Sequence, residues 1–387
     1  MEVRRSTRAH RPAIRIGAAV ACLAGLTFTA VAAAGPSPWS VVPTPNPGTH
    51  GGEFTASSAA PGTSKAWAVG YYMNSLSHQL VLIESNQSGS WSQATVTQPS
   101  TAQNILDDVS VVSPSLAWSV GYYAHSRPLI EKWNGTLWSQ VTAPQMGTVE
   151  TSLLGVAAWG SHGIAVGHYT DTQNNVHPAA EVLHNGAWRL ATPPSPASDA
   201  SLIDVARVPG TDTAWAVGYA SNQLETLFEF WNGKQWKRFA SPSPGSVYDY
   251  IDGIAARSAS DVWAVGTMSD GAGQSTLIEH WNGTKWSVVP SPNAGDGANL
   301  GGVVATPAMG SQAWAVGAHD DATGASRTLT EQYDGSTWTI VPSVDPKADA
   351  DFFSGVTVAK PGKTILAAGG YRTNNNRVAH TLIESHP

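Results

Sequence analysis

The sequence predicts an all-β fold, a seven-bladed β-propeller of four-stranded blades, and three observations lead there. A Trp-Ala-Val-Gly phrase, or a close relative, occurs seven times, with its glycine at Gly70, Gly121, Gly167, Gly218, Gly266, Gly317 and Gly369. The steps between these glycines are 51, 46, 51, 48, 51 and 52 residues, a steady period that marks a repeat architecture. Each period holds four short apolar runs separated by Gly, Pro, Asn and Ser clusters, the pattern of strands joined by turns. No stretch keeps the apolar period of an amphipathic helix, which excludes helical solenoids. Four-stranded units repeated around an axis make a propeller.

The sixth repeat shows the elements in order. Leu300-Gly-Gly-Val-Val-Ala-Thr reads as strand a, and Ala313-Trp-Ala-Val-Gly-Ala as strand b. Thr328-Leu-Thr-Glu-Gln-Tyr reads as strand c, and Trp338-Thr-Ile-Val-Pro as strand d. Between c and d stands Asp334-Gly335, matched elsewhere by Asn134-Gly135, Asn185-Gly186, Asn232-Gly233 and Asn282-Gly283. These pairs are expected to supply the positive φ angles of tight hairpins.

The chain ends predict how the ring closes. The seventh repeat has strands a (Phe352 to Val358), b (Thr364 to Gly370) and c (Thr381 to Ser385), and the sequence stops at Pro387 without a strand d. Trp39-Ser-Val-Val-Pro-Thr-Pro-Asn-Pro-Gly nearly duplicates Trp286-Ser-Val-Val-Pro-Ser-Pro-Asn-Ala-Gly, so the N-terminal strand should complete the last blade.

Two residue columns follow the repeat. Strand d carries Trp39, Trp91, Trp138, Trp188, Trp236, Trp286 and Trp338, and strand b carries Trp67, Trp118, Trp215, Trp263 and Trp314, with Ile164 and Leu366 in the other two blades. One large ring per blade at a fixed register implies packing between blades rather than ligand stacking. Glu84, Glu131, Glu181, Glu229, Glu279, Glu331 and Glu384 recur once per strand c. A catalytic carboxylate is needed once or twice, so this column reads as structural. Partly buried, each Glu should accept hydrogen bonds from an indole, a hydroxyl or backbone amides.

Residues 1–34 combine five Arg, an apolar small-residue run and the ending Ala-Val-Ala-Ala-Ala-Gly, as a cleavable secretory signal does, with the cut after Ala32 or Ala34. A membrane anchor or lipidation at Cys22 is the alternative reading. Residues 35–387 then form one domain, secreted or held at the cell surface, with no membrane span. Cys22 is the only cysteine, so the mature chain has no disulfide or thiolate nucleophile. Taking the five Arg and one Glu of the leader from 21 basic and 28 acidic side chains leaves a net charge near −11. That balance argues against nucleic acid and anionic lipid, which need clustered Lys and Arg.

The glycine-ended strand b, the acidic-aromatic strand c, the turn and the Trp opening strand d resemble kelch-type repeats. Units such as Thr276-Leu-Ile-Glu-His-Trp-Asn-Gly-Thr-Lys-Trp-Ser-Val-Val-Pro-Ser-Pro-Asn293 are more similar to a group of secreted bacterial propellers, largely uncharacterised. The resemblance runs from Pro38 to the C-terminus. It departs from kelch in one respect: strand b ends on a single glycine in most copies, and only Gly369-Gly370 is a doublet at that position. The resemblance implies the fold and leaves the activity open. Galactose oxidase shares such blades, but its copper site needs a cysteine. Sialidase Asp-boxes are similar to Tyr333-Asp-Gly-Ser-Thr-Trp338, a structural turn.

Function is expected on the face built from the b–c loops, which vary most in length and composition. Just past the strand-b glycines lie Tyr72, Tyr123, His168, Tyr169, Tyr219, His319 and Tyr371, an aromatic rim suited to a carbohydrate or another polar ligand. The alternative is that these side chains cap strand ends. No catalytic residues, cofactor, metal ligands or nucleotide fingerprint are read from the sequence. The expected protein is a monomeric binding module for an extracellular glycan or protein ligand. A carbohydrate-active hydrolase or lyase on the same face, or a structural cell-surface protein, are the alternatives.

Overall fold

The structure is a computed structural model. It describes residues 39–387 apart from 87–88, 125–126, 148, 197–198, 222–223, 293, 347, 361–363, 374 and 376. The expected leader lies outside the described residues. Four-stranded antiparallel blades follow one another along the chain, each running a, b, c, d from the axis outward. The fifth shows the plan: a is Tyr248–Ser258, b is Asp261–Ser269, c is Gln274–Trp281 and d is Trp286–Val288. Seven such blades make the predicted propeller. The outer d strands are only two to four residues long, which leaves little exposed edge for another chain to pair with.

The ring closes as the sequence predicts. Ser40 and Val41 pair with Ser385 and Glu384 on the last strand, Val378–His386. Past the strand, Val42 N–H donates to Ile383 O at 2.8 Å and Thr44 meets the Thr381 hydroxyl at 2.8 Å. Asn46 Oδ1 takes the Thr381 N–H at 2.8 Å. This hydroxyl latch recurs as Thr226–Ser241, Thr276–Ser291 and Thr328–Ser343, at 2.6 to 2.7 Å, and it explains why a Thr stands near the start of strand c where strand d is followed by Pro-Ser-Pro or its like.

The motif glycines have one common cause. Every strand a carries a β-bulge, and the residue just before the bulge pairs with the glycine of strand b, as Phe54 does with Gly70 and Ile251 with Gly266. The bulge pushes the strand-a backbone against that glycine. A Cβ on any of the seven would lie 1.9 to 2.1 Å from a strand-a carbonyl oxygen. Just past the bulge, neighbouring inner strands touch around the axis through Ala56, Asp108, Gly155, Asp204, Gly253, Gly302 and Gly355. A Cβ on Gly302 would stand 3.2 Å from Gly355 Cα, and one on Gly355 would stand 2.9 Å from Ala56 Cα.

The tryptophan columns pack between blades. Ring centroids of Trp118–Trp188, Trp215–Trp286, Trp263–Trp338 and Trp314–Trp39 lie 5.3 to 5.5 Å apart, edge to face, each joining a strand b to the strand d of the next blade. Ile164 and Leu366 take the strand-b place beneath Trp236 and Trp91.

Two expectations are corrected. In most c–d hairpins the Asn does not take a positive φ. Trp133 pairs with Trp138 across a four-residue loop, 134–137, and Asn134 Oδ1 accepts the N–H groups of Thr136 and Leu137 at 3.0 and 3.1 Å. There only the glycine is left-handed, with φ 101° at Gly135. The tight two-residue turn occurs at Asn185-Gly186, where φ is 51° and 77°. The second correction concerns the Glu column. All seven are fully buried, at 0 to 1% exposure. Only Glu331 (from the Ser291 hydroxyl, 2.9 Å) and Glu384 (from Val344 N–H, 2.9 Å) accept hydrogen bonds. Glu84, Glu131, Glu181, Glu229 and Glu279 have none among the described residues. Burial without a partner favours the neutral acid. It raises their titration to about 7 at Glu131, about 8 at Glu84, Glu181 and Glu229, and about 9 at Glu279.

Candidate functional site

Strand b runs outward past its glycine to the b–c face, beside the first residues of strand a. Successive side chains there point to opposite sides of the blade. The predicted residues therefore divide into two sets. The first position past the glycine holds His168 and Tyr219. The second holds Tyr72, Tyr123, Tyr169, His319 and Tyr371.

The structure brings the first two together. His168 Nδ1 lies 3.2 Å from the Ser201 hydroxyl on the next blade, and Tyr219 shares that hydroxyl. Burial drives His168 down to about 4, so its ring is neutral near pH 7. The same burial raises the Tyr219 phenol, with Asp199 adding to it.

The other five are half-buried and stand apart, at separate clefts. Tyr72, Tyr123 and Tyr371 pack against three different inter-blade cores. Tyr371 also stacks on His380 at 4.6 Å, with the rings 13° from parallel. Tyr169 stacks on His177 at 5.0 Å. His319 lines a cavity of about 530 Å³ at the b–c end of blade six. Asp321, Arg327, Thr328 and Ser343 supply its polar wall, and Leu329, Ile340, Val341 and Pro342 its apolar wall. Arg327 is fixed there by Asp321 at 2.9 Å, Asp351 at 3.1 Å and Asp345 at 3.3 Å.

Three further groups lie outside the predicted rim, and of these the axial acids Asp108 and Asp204 are the pair the sequence offers as an alternative site at the channel mouth, with Asp252. Glu53, opening the first strand a, accepts the Tyr71 hydroxyl at 2.9 Å and both the Nε and the Nη2 of Arg372, which joins blade seven to blade one on this face. A signal was present: Arg372 is the only cation at the third position past a motif glycine. Gly370 belongs to the same contact. A Cβ there would stand 3.0 Å from His380 O and 3.1 Å from Glu53 Cγ, which accounts for the second glycine at the end of this strand b.

The second group is a chain of hydrogen bonds in blade three. Asp171 Oδ2 lies 2.9 Å from His177 Nε2, and His177 Nδ1 lies 3.1 Å from the Ser195 hydroxyl. The types are those of a hydrolytic triad, but the scaffold argues otherwise. Asp171 Oδ1 also takes the N–H groups of Gln173 and Asn175, closing the b–c turn. Blade six repeats the arrangement with Asp321 holding the N–H groups of Thr323 and Ala325 and pairing with Arg327. The partner of the aspartate is His in one blade and Arg in the other, so its shared task is to hold the loop.

The third group lies on the axis. Asp108 Oδ2 takes Val156 N–H at 2.7 Å and Asp204 Oδ2 takes Ile254 N–H at 2.9 Å, each from the next blade. Burial raises both acids, Asp204 to about 7, with repulsion from Asp204 adding at Asp108 and repulsion from Asp252 adding at Asp204. They buckle adjacent inner strands together. Among the described residues no three His, Cys, Asp or Glu converge on a metal geometry, and no helix is long and apolar enough to cross a membrane.

No family model and no curated protein matches the chain. A solved structure described as YCF48 bound to D1 peptide superposes with a TM-score of 0.57 over 92% of this chain and 97% of that one, at 14% identity. The chain has a β-propeller fold. At that identity the likeness concerns the fold alone.

Proposed function

We propose that the protein is a secreted, kelch-like binding module, monomeric and non-catalytic, whose ligand is an extracellular glycan. The observation that carries this reading is the cavity beside His319. Its wall is half apolar, from Leu329, Ile340, Val341 and Pro342, and half hydrogen-bonding, from Asp321, Thr328, Ser343 and His319. Sugars present the same two faces, a ring of C–H groups and a rim of hydroxyls. Fixed carboxylates and hydroxyls recognise such a rim without having to reorganise. The surplus of carboxylates over Arg327 favours neutral or amino sugars over uronic acids. The signal-like segment of residues 1–34 supports placing the module outside the cell.

The test is a glycan array probed with the mature chain, beside His319→Ala. The variant should stay close to the parent's melting temperature, because His319 is half-buried at the cavity mouth and its ring bonds the adjacent Asp320 carbonyl at 3.3 Å rather than a distant partner. It should lose about tenfold in affinity, or about 1.4 kcal/mol. Full-strength binding by the variant moves the site elsewhere on the face. An empty array together with turnover of a polysaccharide replaces the reading with an enzyme.

A further inference from the structure

Four Asn-Gly pairs occur, all at c–d hairpin tips: Asn134-Gly135, Asn185-Gly186, Asn232-Gly233 and Asn282-Gly283. An Asn before Gly is open to attack by its own backbone. Without a Cβ to crowd it, the following amide nitrogen can reach the side-chain carbonyl carbon. The structure separates the four pairs into two kinds.

In three of them the side chain is held. Asn134 Oδ1 accepts the Thr136 N–H, the Thr136 hydroxyl and the Leu137 N–H at 2.9 to 3.1 Å. Asn282 makes the same three bonds to Thr284 and Lys285 at 2.7 to 3.1 Å. Asn232 accepts the N–H groups of Lys234 and Gln235, both at 3.0 Å. These bonds point the carbonyl down the loop and fix the torsion that would have to turn for the attack. Gly135 and Gly283 are hemmed in as well, with Ser115 and Ser260 side chains 3.2 and 2.8 Å from where a Cβ would be.

Asn185 has none of this. Its turn is two residues long, between His184 and Ala187, and leaves no downstream N–H for the side chain to cap. No hydrogen bond to its side chain occurs among the described residues, and both Asn185 and Gly186 are exposed. A Cβ built on Gly186 meets nothing within 4 Å, so no neighbouring group covers this side of the turn.

We propose that Asn185 is a site of spontaneous covalent modification, deamidation through a cyclic imide, and that the loops of the other three pairs protect them. Hydroxide removes the proton from the Gly186 amide nitrogen. That nitrogen bonds to Asn185 Cγ, the Cγ–Nδ2 bond breaks, and Nδ2 leaves as ammonia with a proton from water. Water then opens the imide at either carbonyl, leaving aspartate or isoaspartate at position 185, with no electron transfer in any step. Both products add a negative charge. Isoaspartate also lengthens the backbone at a turn that ends one residue before Trp188, the ring that packs on Trp118 of the neighbouring blade at 5.5 Å.

The experiment is incubation of the folded chain in mildly alkaline buffer, followed by peptide mapping with mass spectrometry and isoaspartate detection. Conversion at position 185 should run about tenfold faster than at 134, 232 and 282, a factor that corresponds to about 1.4 kcal/mol of barrier. In the denatured chain the four rates should converge. Thr284→Ala, which removes one hold on Asn282, should speed conversion at 282 and leave 185 unchanged. Equal rates in the folded protein would overturn the proposal. So would the same preference for 185 in the denatured chain, because the cause would then be local sequence and not the fold.

Discussion

The motif glycines are visible in the sequence, but the reason for them is not. The strand-a carbonyl that crowds the glycine belongs to Glu53, Ile105, Ser152, Ser201, Tyr250, Asn299 or Phe352, depending on the blade. A backbone bulge places no demand on that side chain, so it leaves no trace in composition. Gly266→Ala should therefore cost at least about 3 kcal/mol, the upper end for single substitutions, because the obstacle is a backbone carbonyl 2.1 Å away. Thermal melting measures it, and a variant as stable as the parent would remove the bulge as the explanation. The glutamates were misread for a related reason. Period-two alternation shows that Glu279 faces the core, yet whether any donor awaits it depends on a neighbouring blade. Glu279→Gln keeps the shape and removes the titration. It should melt close to the parent in acid and above it at pH values past neutrality. Equal melting at every pH would mean that the carboxyl has a partner after all.

At the scale of elements, strand d of the last blade is the sharpest case. It was legible because a ten-residue segment at one end repeats a segment in the middle. What could not be read is how little of it is strand: two residues pair, and the rest of the hold comes from Trp39, the threonine latch and Asn46. Trp39 is 2% exposed, between Trp314 at 5.4 Å and His386 at 5.3 Å. Deleting residues 35–45 should destabilise the mature protein by about 3–5 kcal/mol, as loss of a buried aromatic does. An unchanged melting temperature would show that the ring stays closed without this strand. The candidate site was less legible than the fold. A run such as Tyr122-Tyr123 reads as one aromatic patch, but alternation sends the two rings to opposite sides of a blade. The partners that matter, such as Glu53 and Arg372, stand 319 residues apart and meet only through closure of the ring.

For the whole molecule, the buried acids set the response to pH. Unfolded, they titrate near 4.5; folded, all seven titrate at about 7 to 9. Between those values the folded state holds protons that the unfolded chain has released. The stability they contribute is complete below pH 4.5 and drains away as pH rises towards 9. Asp171, Asp321 and Asp334, held below their usual value chiefly by hydrogen bonds, act in the opposite sense: their share is lost as pH falls below 3.8. The melting temperature should therefore peak in mild acid and decline through neutrality. A profile that rises from pH 5 to pH 8 would contradict the burial of the column.

The closing strand also bears on how the molecule comes into being. Ser40 meets Ser385 across 345 residues, so the first strand made finds its partner only when the last has emerged. Six blades can assemble from neighbouring sequence, whereas the seventh waits, its tryptophan and threonine unsatisfied. Non-local pairing of this kind is slow, and an open final blade offers an unpaired edge to any other chain in the same state. The vulnerable moment is thus the interval before the ends meet. A circular permutant that joins the two ends and opens the chain at an exposed loop should shorten that interval, seen as faster refolding with less aggregation at the same final stability.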